Sequence, residues 1–112
     1  MSKPTRRTYS RYARDAVELL GTHIHNARIT QGMTVAELAE RAGVSRGLVH
    51  RVEGGEMGSA IGVAFELAVI VGVPLFDATP GILSEHLRSV RERRSLLPKA
   101  VRRRADEVDD DF

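Results

Sequence analysis

Two helix-start signals stand eleven residues apart near the middle of the chain, with a glycine between them. Thr34 has Glu37 three residues on, a reciprocal pattern in which the hydroxyl accepts from one free amide and the carboxylate reaches back to another. Ser45 stands where a second helix can be capped. Gly43 sits where the first must end in a left-handed turn. The segment Thr34 to Glu53 therefore reads as two short helices meeting at a tight corner. Leu38, Ala39 and Ala42 follow the inner face of the first; Val49 and Val52, three apart, follow that of the second. Ala39 is small enough to let the second helix cross close to the first, and Val44 in the turn can plug the core beneath both.

The flanks read as helical too. A helix over about 14–30 has Val17, Leu20, Ile24 and Ala27 at helical spacing and Gly32 as its stop. Gly54 and Gly55 end the second helix of the corner. A fourth helix runs from about Ser59 to Val71, stopped by Gly72, and Pro74 opens a short next element. Thr79, Pro80 and Gly81 break the chain again. A last amphipathic helix, about 82–97, carries Leu83, Leu87 and Val90 on one stripe and ends at Pro98. The fold expected is all-α, with five to six helices and no strand pair. The layout is a basic arm over 1–13, a helical domain over 14–79, an amphipathic helix over 80–98 and a charged, disordered tail over 99–112.

The net charge of +2 hides four blocks of alternating sign. Residues 1–14 carry +5, residues 15–85 carry −5, residues 86–105 carry +7 and residues 106–112 carry −5. Basic blocks at both flanks suit a polyanion partner; solvated tails are the plainer reading. With no cysteine, disulfides, thiolate zinc sites and a cysteine nucleophile are excluded. No apolar stretch follows the basic N-terminus, and the longest apolar run, Ala60 to Phe76, is 17 residues broken by Glu66 and Pro74. A cytoplasmic protein without a membrane span is expected. No phosphate loop or nucleophile elbow appears. His23 and His25, two apart on a helix, point to different sides and make poor co-ligands for a metal. Neither an enzyme nor a cofactor is expected.

The corner, with Arg28 near the end of the preceding helix, Thr34-Glu37-Leu38-Ala39, Gly43-Val44-Ser45, Val49-Val52-Glu53-Gly54 and Gly72-Val73, resembles the Cro/C1-type (Xre, lambda-repressor-like) helix-turn-helix family over about Val17 to Leu75. The resemblance implies sequence-specific binding of double-stranded DNA, with the second helix of the corner in the major groove. By the same token Arg46, Gly47 and Arg51 fall on base-reading positions. Arginine can donate two bonds to guanine O6 and N7. Gly47 leaves one reading position blank, and His50, on the same face, can reach a phosphate or base when protonated or simply stay solvated. Phosphate contacts are implied at Thr34, Val35 and Ser45, where helix amides begin, and along Gly54 and Gly55. Arg28 and Glu53 match a structural ion pair of the family. The family often has Gln at the position of Val35 and Asn before the glycine after the reading helix, where this chain has Gly54-Gly55. Weaker phosphate clamping by the core follows, with the basic arm left to compensate. Tyr9 and Tyr12 in that arm are expected to pack on the protein.

The fourth helix is apolar nearly all round. Ile61, Ala64, Phe65 and Ala68 suit its inner face, whereas Val63, Val69 and Ile70 fall where the family usually has polar residues. A homodimer covering these three, matching a palindromic operator, is one solution; burial under residues 82–97 is the other. The charged C-terminal extension, ending in Asp109-Asp110-Asp111-Phe112, resembles HipB-type antitoxins. That likeness implies repression of the chain's own operon and a HipA-like kinase toxin as partner. A stand-alone Xre-type regulator and a protein-interaction module that has lost DNA binding are the competing readings.

Overall fold

The computed structural model describes residues 8–101 and 103. Five helices follow one another: α1 (Arg11–Thr30), α2 (Val35–Ala42), α3 (Arg46–Glu53), α4 (Ile61–Val71) and α5 (Pro80–Ser95). No strand occurs among the described residues. The chain divides into two compact units, Met1–Asp77 with α1 to α4 and Ala78–Phe112 with α5. The expected contributions of the basic residues before Thr8 and of the acidic tail lie outside the described residues.

In the first unit, α1 packs on α3 and α4, and α2 packs on the same two helices. Ile24, Leu38, Val49 and Leu67, one from each helix, are wholly buried at the centre. Met33, Ala39, Val52, Ala64, Ala68 and Val71 complete the core, with Val44 and Leu75 packed against its edge.

Local chemistry sets the helix ends. Thr34 and Glu37 form both halves of the capping box, with Glu37 N 3.0 Å from the Thr34 hydroxyl and Thr34 N 2.8 Å from the Glu37 carboxylate. Gly43 adopts φ 71°, and its amide and that of Val44 close on α2 carbonyls. A Cβ at Gly43 would meet nothing within 4 Å, so the demand there is conformational rather than steric. The Ser45 hydroxyl accepts from Leu48 N at 3.1 Å.

Four expectations are corrected. First, α1 begins at Arg11 rather than near Arg14, because Ser10 caps it by accepting from Ala13 N. Tyr12 is then 89% exposed and does not pack on the protein. Second, the inner face of α4 is Ala64, Leu67, Ala68 and Val71. Ile61, in the first turn, is 70% exposed. With Phe65 it borders an open apolar cleft of about 370 Å³ against Ala16, Val17 and Leu20 of α1. Third, the short element that Pro74 opens is a turn and not a sixth helix. Residues 75–78 make a tight turn with Phe76 and Asp77 both at positive φ, 54° and 53°. An edge-to-face contact of Phe76 with Phe65, centroids 6.1 Å apart, helps to offset that uncommon conformation.

The fourth correction is in the second unit. Thr79-Pro80-Gly81 starts α5 rather than breaking the chain. Thr79 accepts from Ile82 N, and Pro80 takes the first position, where no amide is needed. The helix stops at Ser95, ahead of Pro98. It buries no residue; Ile82, Leu87 and Val90 are exposed and Leu83 is half-buried.

Candidate nucleic-acid interface

The outer face of α3 follows from its inner one. Val49 and Val52 anchor the helix in the core, which turns Arg46, Gly47, His50 and Arg51 outward, and all four are exposed. Side chains four apart share a helix face, so Arg46 neighbours His50 and Gly47 neighbours Arg51. The two sequence-expected arginines are thus both presented to solvent.

Arg51 has a partner that the sequence reading missed. Its Nε lies 3.3 Å from the Glu56 carboxylate, in an ion pair open to solvent. Its Nη1 lies over Gly47, where an added Cβ would sit 3.4 Å from it. Gly47 is therefore the floor on which the Arg51 guanidinium rests, not merely an empty reading position.

The starts of α2 and α3 are capped by the Thr34 and Ser45 hydroxyls. The first turn of a helix has amides without intrahelical acceptors, and these attract anions. Thr34 N, however, already donates to Glu37, and the Gly54 and Gly55 amides donate to the His50 and Val52 carbonyls. Of the residues expected to touch phosphate, Val35 keeps a first-turn amide, although its side chain is half-buried against the core. The corresponding amides of α3 belong to Arg46 and Gly47, just after Ser45.

Behind α3, Arg28 of α1 is 6% exposed. Its Nε donates to Glu53 Oε2 at 2.7 Å, its Nη2 to Oε1 at 3.1 Å, and its Nη1 to the Met33 carbonyl at 2.9 Å. One guanidinium thus ties α1, the α1–α2 loop and the end of α3. The bonds to Glu53 raise the Arg28 pKa, more than offsetting its burial. Burial alone would push the Glu53 carboxyl up, but bonds from Arg28 and His25, with their charges, outweigh it and hold the carboxyl below its ordinary value. His25 is a second unforeseen member. Its Nδ1 lies 3.0 Å from Glu53 Oε1, the geometry of an Nδ1–H donor to a carboxylate. Its position three residues before Arg28 on α1 was the available signal.

Gly21 sets how closely α1 and α3 cross. A Cβ there would lie 2.3 Å from the Val52 carbonyl oxygen. Gly55, at φ 78°, brings the loop after α3 against Glu18 of α1. At the expected dimer surface, Val63 and Ile70 are half-buried against the unit's own core, while Val69 is 58% exposed.

A family model described as the helix-turn-helix domain matches residues 19–75, from α1 through the end of the first unit's core. No curated protein and no solved structure matches the chain. No helix among the described residues is long and apolar enough to cross a membrane.

Proposed function

The chain belongs to the helix-turn-helix domain family, in the Cro/C1-like group, and from that premise we propose that it is a sequence-specific, DNA-binding transcriptional regulator. The observation that carries this reading is the outward exposure of both Arg46 and Arg51 on a helix anchored by Val49 and Val52 and braced by Arg28–Glu53. Such a helix enters a major groove and sets guanidinium groups against guanine edges, while first-turn amides of α2 and α3 take phosphates. A homodimer reading two half-sites about one helical turn apart completes the proposal, supported by the exposed Val69 on an apolar α4.

Selection from a randomised duplex library, followed by gel shifts across a salt series, tests it. Arg46→Ala and Arg51→Ala should each cost about 1–3 kcal/mol on the selected site and relax preference at one base pair apiece. Failure to enrich any sequence overturns the reading.

A finer proposal is that the regulator is a HipB-type antitoxin that represses its own operon and binds a HipA-like kinase. Support comes from the strongly basic block 86–105 and the acidic block 106–112, both outside the matched family region. Binding of a HipA-like kinase by the full chain but not by a chain lacking residues 99–112 is the expected result. No binding by either leaves a stand-alone regulator.

A further inference from the structure

We propose that Glu56 is a specificity-determining positioning residue, which acts through Arg51 and never touches a base. The inference rests on the DNA-reading function proposed above and deepens it. An unrestrained arginine on a helix surface samples many rotamers, and each must be given up to read one base. Arg51 is not unrestrained. Its Nε is paired with Glu56, and its Nη1 lies over Gly47. With Nε engaged by Glu56, the terminal nitrogens Nη1 and Nη2 are the donors that remain for a guanine, the two-pronged end that matches O6 and N7.

Glu56 is itself held. Its amide donates to the Arg51 carbonyl at 3.0 Å, so the carboxylate is carried on a loop anchored to the same helix turn. The Ser59 hydroxyl lies 3.5 Å from Oε1 of that carboxylate. Gly55, at φ 78° and packed against Glu18, fixes the path by which the loop leaves α3. Two exposed partners contribute little to folding stability, so geometry rather than stability is what this pair supplies. The carboxylate also lies beside the face that would meet phosphates, which lowers affinity for every duplex alike.

The test uses the full chain, wild type and the variants Glu56→Gln, Arg51→Ala and the double substitution. A site is first selected from a randomised duplex library; Arg51→Ala then marks the base pair that Arg51 reads. Glu56→Gln is expected to lower preference at that base pair about fivefold, within the range that one two-pronged contact supplies, and to leave the other positions unchanged. Affinity for mismatched duplex should stay level or rise, and the thermal midpoint should stay unchanged. In the Arg51→Ala background, Glu56→Gln should alter no preference, since its effect passes through Arg51. Unchanged preference in Glu56→Gln overturns the proposal. So does sharper preference, which would make Glu56 a restraint holding Arg51 off the DNA. If wild type enriches no site, the DNA-reading function falls and this inference with it; if it enriches one that Arg51→Ala reads identically, the inference alone falls.

Discussion

Arg28 reaches Glu53 through two nitrogens, Nε at 2.7 Å and Nη2 at 3.1 Å, and spends the third on the Met33 carbonyl. Both side chains of this pair are under a tenth exposed. Removing either partner strands the other charge in the interior, at a cost of about 3–5 kcal/mol. Urea unfolding of Arg28→Ala and Glu53→Ala should each show that loss. The double substitution Arg28→Met, Glu53→Leu should recover much of it, because no charge is left unpaired. Equal losses in the single and double variants would mean that packing, not charge, is what the pair supplies.

The same pair sets an acid limit. Glu53 is held below its ordinary carboxyl value of 4.5, so folding favours its ionised form. A carboxyl with a depressed folded pKa contributes stability that is present above the unfolded value and lost as pH falls through the folded one. Stability should therefore be level in this respect at neutral pH and decline below about pH 4.5. Arg28, whose pKa is raised from its already high ordinary value by the bonds to Glu53, contributes nothing variable in that window. Unfolding free energies from pH 7 to 3 should fall more steeply in wild type than in Glu53→Gln; parallel curves would remove the carboxyl as the cause.

Much of this architecture is written locally and could be read in advance. Thr34, Gly43, Ser45 and Gly72 act on their own neighbours, and each caps the helix end expected of it. What was not legible depends on contacts between distant segments. α4 is apolar at Ile61, Val63, Phe65, Leu67, Val69 and Ile70, and the exposed Glu66 is its one charged residue, too little for periodicity to choose a face. Thr79-Pro80 reads equally as a break or as a cap followed by a first-turn proline; the structure has the second. The Glu56 partner of Arg51 needs the course of the loop, which two glycines leave open. Met33 counts as buried only once α1 and α2 have closed over it.

Gly21 shows the same dependence most sharply, and it yields a paired prediction. Ala at Gly21 would place a methyl 2.3 Å from the Val52 carbonyl oxygen, a backbone atom that cannot swing aside. α1 and α3 must separate, at about 1–3 kcal/mol. Since α3 carries Arg46 and Arg51, site affinity should drop as well. Gly62, in α4, has nothing within 4 Å of an added Cβ. There Gly62→Ala should stabilise the domain by about 0.5–1 kcal/mol, as a helical glycine replaced without strain does. Thermal melts of the two variants should move in opposite directions; movement in the same direction would contradict the crossing geometry.

The proposed dimer can be tested at one residue because the two valines and the isoleucine expected there differ in burial. Val63 and Ile70 pack against the core of their own unit, whereas Val69 is 58% exposed. A charge at Val63 or Ile70 should therefore lower the thermal midpoint whether or not a dimer forms. A charge at Val69 meets solvent in a lone subunit and is costly only where a second copy covers it. Val69→Glu should keep the helical circular dichroism signal and the melting behaviour of a folded domain while sedimentation shifts from dimer to monomer. Affinity for a two-half-site duplex should fall by about a hundredfold, since each half-site must then be bound separately. A Val69→Glu chain that still sediments as a dimer would place the self-association surface elsewhere than on α4.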